Sequence, residues 1–204
     1  TAVPDFLAGD QQGLYRRAFS LYVHLFGGDT SCVEYSETLG SDSFPPRDYE
    51  TAELDGYTYL VSQGRYQDWN DFDAVVRAVF TDAYWDSLNN RLDGGAPIFR
   101  EYNGKLCFLD LGKGTGYYYN RNFPDTFTLN EVTDDAVRFH LVGHYSCNYP
   151  VGDETCEERD ARVAASYEYT KAFPISMVLT EDGWRFDAFA SASIDEGEYE
   201  GDLF

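Results

Sequence analysis

Near the start of the chain apolar residues recur at three- and four-residue intervals: Leu14, Ala18, Leu21, Tyr22 and Leu25, with Tyr15, Phe19 and Phe26 widening the stripe. That period predicts an amphipathic helix, capped by Asp10 and ended by Gly27-Gly28. A second helical pattern runs through Phe72, Val75, Val76, Val79, Phe80 and Ala83 after a capping Asn70, and Leu88 and Leu92 continue its face. Thr81-Asp82 can cap a fresh start there, so two helices meeting at an angle fit the pattern. Between these stretches Tyr57, Tyr59 and Val61 alternate with Thr58 and Leu60, which predicts a short strand.

From Ile98 onward the period falls to two. Ile98 to Tyr102 and Leu106 to Leu111 flank Asn103-Gly104, a strong hairpin signal. Tyr117 to Asn120, Thr126 to Val132 and Ala136 to Cys147 follow as strands. In the last, Val137, Phe139, Leu141, Tyr145 and Cys147 face one way and Arg138, His140, Val142, His144 and Ser146 the other. Val163 to Leu179 and Trp184 to Phe189 close the series around Asp182-Gly183, a second hairpin turn. Helices first and antiparallel strands afterwards predict an α+β fold, with N-terminal helices packed on a curved, mainly antiparallel sheet as one domain over residues 1–194. Residues 195–204 read as an acidic, mobile tail.

Composition changes this picture in two ways. The aromatic load is heavy, with 17 Tyr, 15 Phe and 3 Trp in 204 residues, which favours sheet surfaces and supplies rings to line an interior. The balance of 15 basic against 36 acidic residues leaves a formal charge of −21, which excludes a nucleic-acid partner because a polyanion needs a cationic footprint. The same sign disfavours an anionic membrane surface and favours a protein partner of positive potential. No apolar run is long enough for a membrane span. Thr1 opens the sequence with neither a basic start nor an apolar signal core, so the leader or lipid anchor of an exported protein would lie outside it.

Candidate chemistry is sparse. Gly112 to Gly116 lacks both the phosphate-loop and the dinucleotide spacing, and the tyrosines after it predict a strand instead of a helix start. His140 and His144 lie about 13 Å apart if extended, too far to share a metal ion. Asp68 to Asp73 departs from a calcium loop at its glycine and glutamate positions. No metal, cofactor or catalytic group is expected. Cys147 and Cys156 bracket a turn-prone stretch and are either bridged, closing a short loop worth about 2–3 kcal/mol, or two reduced thiols. Pairing of Cys32 with Cys107 stays open.

The segment Gly152 to Asp160 stands apart. Asp153, Glu154, Glu157, Glu158 and Asp160 face Arg159 alone, on what reads as a loop between two long strands. A loop held by rigid strands is a place where binding function collects, and several carboxylates together steer docking on a basic cleft.

Four stretches carry a resemblance: Gly56 to Gln63 (GYTYLVSQ), Asn70 to Trp85 (NDFDAVVRAVFTDAYW), Phe99 to Gly116 (FREYNGKLCFLDLGKGTG) and Glu181 to Phe189 (EDGWRFDAF). Together they resemble the IseA family, bacterial inhibitors of the DL-endopeptidases that cleave peptidoglycan stem peptides. The resemblance implies a secreted or cell-surface bacterial protein that is not an enzyme. It implies as partner an NlpC-type cysteine endopeptidase of the cell wall, its basic substrate cleft occluded by the acidic loop at Asp153, Glu154, Glu157, Glu158 and Asp160. An alternative is a cone-like domain similar to the NTF2 family, whose helices and curved sheet enclose a site for a small ligand or for enzymatic chemistry on it.

Overall fold

The computed structural model describes residues 2–26, 50–90, 95–109 and 118–195. Gly27-Gly28, Cys32, Leu92, the glycine run Gly112 to Gly116, residues 196–204 of the expected tail and most of Asp29 to Asp55 lie outside them; the eight acids and Pro45-Pro46 of that last stretch predict a loop over a surface. The fold class is α+β, with antiparallel sheets throughout. The strands form two four-stranded sheets where one was expected, and the chain divides into two compact units: Thr1–Tyr22 with Gly114–Phe204, and Val23–Lys113.

Helix α1 (Gly9–Phe26) contributes its residues up to Tyr22 to the first unit, whose strands β5 (Thr126–Val132), β6 (Ala136–Tyr145), β7 (Tyr169–Thr180) and β8 (Gly183–Ala188) are hydrogen-bonded in that order. The predicted stripe of α1 is the buried one: Leu14, Tyr15, Ala18, Leu21 and Tyr22 are all inaccessible. Asp10 lies within the first turn and does not cap it. On the core face of the sheet Tyr15 meets Phe127 and Phe186 edge-on, at ring-centroid separations of 5.8 and 6.2 Å, and Phe189 at 5.5 Å. Aromatic pairs of this geometry add to simple burial, so the Tyr and Phe excess is spent on the core. Along β6 the alternation holds as predicted, with Val137, Phe139, Leu141 and Tyr145 inward.

The β6 to β7 crossover departs from expectation. Val163 does not open a strand; residues Cys156–Ala165 form helix α4, and β7 starts at Tyr169. The acidic segment is therefore a turn followed by a helix. Beyond β8 the chain packs back on β6, where Tyr145 donates its hydroxyl to the Ala192 carbonyl at 2.8 Å. Asp195, expected at the head of a mobile tail, is anchored: its carboxylate accepts from Tyr22 Oη and Ser191 N, each at 2.8 Å.

In the second unit β1 (Thr51–Leu54), β2 (Tyr57–Val61), β3 (Phe99–Tyr102) and β4 (Lys105–Phe108) form a sheet in the order β1-β2-β4-β3. Asn103-Gly104 makes the predicted hairpin, with φ of 52° and 79° at the two residues. Asp55-Gly56 turns the same way, with φ of 53° and 86°, so the residues before it are a strand rather than loop. Helix α2 (Trp69–Arg77) is capped by Asp68, not Asn70, through Oδ1 to Asn70 N at 2.8 Å and Asp71 N at 3.1 Å. Helix α3 (Asp82–Asn89) starts at the cap Thr81 as predicted. Phe72, Trp85 and Phe99 meet at centroid separations of 5.4 to 5.8 Å and make the centre of this unit.

Gly143 marks where the returning chain touches β6. A Cβ there would stand 2.5 Å from Ala192 Cβ and 2.8 Å from Tyr145 Oη. Gly143→Ala should therefore cost about 1–3 kcal/mol in urea denaturation by overpacking, and a variant as stable as the wild type would contradict this close approach.

Candidate functional site

The acidic crossover is built mainly on polar bonds, because α4 has no fully buried side chain and only Arg159, Arg162 and Val163 are half-buried. Gly152 (φ 63°) reverses the chain, and Thr155 then caps the helix. Thr155 Oγ1 accepts from Glu158 N at 3.3 Å while Glu158 Oε2 accepts from Thr155 N at 2.8 Å, a reciprocal capping box. Those bonds from the Thr155 amide and hydroxyl hold the Glu158 carboxyl below its ordinary range. Glu157 and Glu158 both sit in the first turn, where the helix dipole favours negative charge.

Arg162 closes the turn onto itself. Its Nε and Nη2 donate to the two oxygens of Glu154 at 3.0 and 3.1 Å, Nη1 donates to Glu168 Oε1 at 3.0 Å, and Nη2 also reaches the carbonyls of Cys147 and Tyr149 at 3.0 and 3.1 Å. This fork grips both ends of the crossover, the kind of multidentate recognition a guanidinium supplies and an ammonium does not. Arg162's hydrogen bonds, then the Val151 amide, hold the Glu154 carboxyl below its usual range.

A second fastening is uncharged. Asn120 is 1% exposed, and its Nδ2 donates to Ser146 Oγ and Val163 O at 2.8 Å and to Ser166 O at 3.2 Å. The bridge Tyr119↔Tyr145 puts Asn120 and Ser146 on the sheet face opposite Tyr145. Their bonds to the last turn of α4 set that helix on the same outer face. Leaving one such buried group unmet costs about 1–3 kcal/mol.

The five expected residues thus come together but divide in role. Glu154 and Glu158 build the turn and the cap; Asp160 pairs with Arg159 at 2.6 Å. Asp153 and Glu157 are exposed, with no side-chain hydrogen bond or ion pair to any described residue. Cys147 and Cys156 are unbridged, the former half-buried and the latter exposed.

A titratable cluster lies in the same unit. Tyr119 Oη donates to Asp125 Oδ1 at 3.0 Å. Burial pushes the Asp125 carboxyl up, against the lowering effect of the Tyr119 bond, and burial beside the Asp125 charge pushes Tyr15 and Tyr119 up as well. His144, expected half-exposed, is only 8% exposed, since Tyr167 and Phe123 cover its ring at centroid separations of 4.5 and 6.0 Å. Its Nδ1 has no hydrogen-bond partner among the described residues. His140 Nδ1 lies 2.9 Å from Asn130 Oδ1.

Sequence reasoning passed over Arg162, Asn120 and Asp125. The signal available for the first was Thr155-x-x-Glu158, a helix start that turns Arg162 toward the preceding turn. Among the described residues no group of three or more His, Cys, Asp or Glu side chains is placed to hold a metal ion, and no helix is long and apolar enough to cross a membrane.

A comparison with models of protein families finds no match for the chain, and neither does a comparison with curated proteins. Of the four stretches quoted above for the expected family resemblance, those described before Gly114 belong to the second unit and Glu181 to Phe189 to the first; none includes the acidic crossover.

A carboxyl whose pKa rises on folding binds its proton more readily in the folded chain, so its contribution to stability grows as pH falls and is lost as pH rises through the raised value. Asp125→Asn should be at least as stable as the wild type near pH 7, with the wild type gaining on it as pH falls toward the ordinary carboxylate range. Chemical denaturation across that range reads the difference, and a variant markedly less stable near pH 7 would contradict it.

Proposed function

We propose that the chain is a non-enzymatic binding domain that docks the acidic crossover, Asp153 to Asp160, on a cationic cleft. The observation that carries this reading is the allocation of charge. The crossover holds six acids, Glu168 included, against two arginines. Both arginines are consumed internally, Arg159 by Asp160 and Arg162 by Glu154 and Glu168. Asp153 and Glu157 are left facing solvent on a turn and helix that are already ordered, so little conformational entropy is lost on docking.

The resemblance to the IseA family supplies the partner class: a cell-wall DL-endopeptidase of the NlpC cysteine type, inhibited by occlusion of its substrate groove. On this reading the protein acts outside the cell or at its surface, in a bacterium, and needs no cofactor. The carboxylates speed encounter with the groove through complementary potential, and the helix then fills it.

A second reading, a cone-like domain acting on a small ligand, is favoured by one observation, the raised Asp125 carboxyl beneath the Tyr119 hydroxyl. Asp125→Asn separates the two, because only the second needs that carboxyl.

Charge reversal at Glu154 or Glu158 would dismantle the turn or the cap, because those carboxylates bond within it. Asp153→Lys with Glu157→Lys leaves both intact. Against an NlpC-type endopeptidase in a surface-binding kinetic assay, this pair should lower the association rate roughly tenfold and flatten its dependence on salt. An unchanged association rate would remove the acidic crossover from the account.

A further inference from the structure

One end of the first unit's core is polar. Tyr15 is 1% exposed, and its ring packs against Phe127 and Phe139 at centroid separations of 5.8 and 6.3 Å, yet its hydroxyl makes no hydrogen bond to any described residue. Polar groups of side chains this deep are usually partnered, so an idle hydroxyl there calls for an explanation. The strongest charge acting on it is that of Asp125, and the Tyr119 hydroxyl comes next.

Asp125 is half-buried, two residues before Phe127 on the way into β5. Its Oδ1 accepts from Tyr119 Oη at 3.0 Å, and no other hydrogen bond or ion pair to a described residue engages the carboxyl. The Tyr119↔Tyr145 bridge sets the half-buried Tyr119 ring on the core face of the sheet, 6.0 Å from that of Tyr145. Arg121 is exposed and its charge reaches Tyr119, but it pairs with no carboxylate among the described residues. Burial opposes the charge of Asp125, while positive charge nearby, a protonated His144 included, favours it. The carboxylate thus has one oxygen to spare and an environment that a cation would improve.

We propose that Asp125, Tyr15 and Tyr119 form a binding site for an organic ammonium: its head bonds the second oxygen of Asp125 and the Tyr15 hydroxyl, and its apolar body lies against the Tyr119 and Phe127 rings. The proposal rests on the small-ligand reading of this carboxyl and names the class of ligand; the acidic crossover takes no part in it. A carboxylate set among aromatic rings recognises an ammonium twice, by a charge-assisted hydrogen bond and by attraction to the ring faces. The formal charge of −21 draws cations toward the chain and repels anions. A neutral ligand would leave the carboxylate uncompensated. A metal ion lacks ligands, since among the described residues no three His, Cys, Asp or Glu side chains converge.

The test is an NMR titration of the full chain with three probes that share a phenyl body: phenethylamine, phenethyl alcohol and phenylacetate. Near neutral pH phenethylamine should shift the amides around Tyr15, Tyr119 and Asp125 and leave those of Asp153 to Asp160 in place. The alcohol should bind roughly tenfold more weakly, and phenylacetate more weakly still. Asp125→Asn should remove the preference for the amine over the alcohol. Tyr15→Phe should weaken the amine about threefold without lowering the unfolding midpoint, because the hydroxyl it deletes holds nothing in the described chain.

Equal binding of amine and alcohol, unaltered by Asp125→Asn, overturns the ammonium class while leaving a small-ligand site of another chemistry. Shifts by the amine that avoid Tyr15, Tyr119 and Asp125 overturn the site itself. No shift with any of the three probes overturns both the proposal and the reading beneath it.

Discussion

A helix with no fully buried side chain is held on a sheet only weakly by the hydrophobic effect. Helix α4 is in that position, with Val163 no more than half-buried, and its orientation depends on polar bonds at its two ends: Arg162 gripping Glu154, Glu168 and two carbonyls, and Asn120 reaching the carbonyls of Val163 and Ser166. The Arg162 fork ties the turn at Gly152 to α4, adding to the Val151–Glu154 bonds within the turn, and Asn120 seats the helix's last turn. A guanidinium that satisfies one carboxylate on each side of the helix also removes the positive charge that would otherwise neutralise the surface.

The two kinds of acid in the crossover illustrate how one composition serves two ends. Glu154 and Glu158 have carboxyls held below their usual range by donors from the chain itself, so they are committed to local structure. Asp153 and Glu157 make no such bonds, and their field is directed outward. Acids committed to local structure and acids left exposed are thus separated by residue within a run that looks uniform in the sequence.

What the sequence made legible was whatever depends on neighbours along the chain. The three-and-four stripe of α1, the Thr81 cap, the two-residue period of β6 and the Asn103-Gly104 turn are all local patterns, and each is where it was expected; the second hairpin turn, expected at Asp182-Gly183, falls one residue earlier at Glu181-Asp182, with Gly183 paired to Thr180 as the first residue of β8. Asp55-Gly56 carried the same hairpin signal and was subsumed in an acidic stretch, which concealed β1. The candidate acids were found by charge, but their roles were not. The run of acids hid Thr155-x-x-Glu158, so a helix was read as a loop and the start of a strand. Arg162, Asn120 and the burial of His144 depend on residues brought together from different parts of the chain, and neither spacing nor composition encodes that. The division into two sheets was illegible for the same reason, since strand pairing is set by tertiary packing rather than by the period within a strand.

The most direct test of the central claim is amide hydrogen exchange across the crossover. If α4 is a preorganised element, the amides of Arg159 to Ser166, which bond within the helix and its cap, should exchange far more slowly than an unstructured chain, and replacing Arg162 should release that protection while β6 keeps its own. Exchange at unstructured rates throughout Arg159 to Ser166 in the unaltered chain would contradict the account.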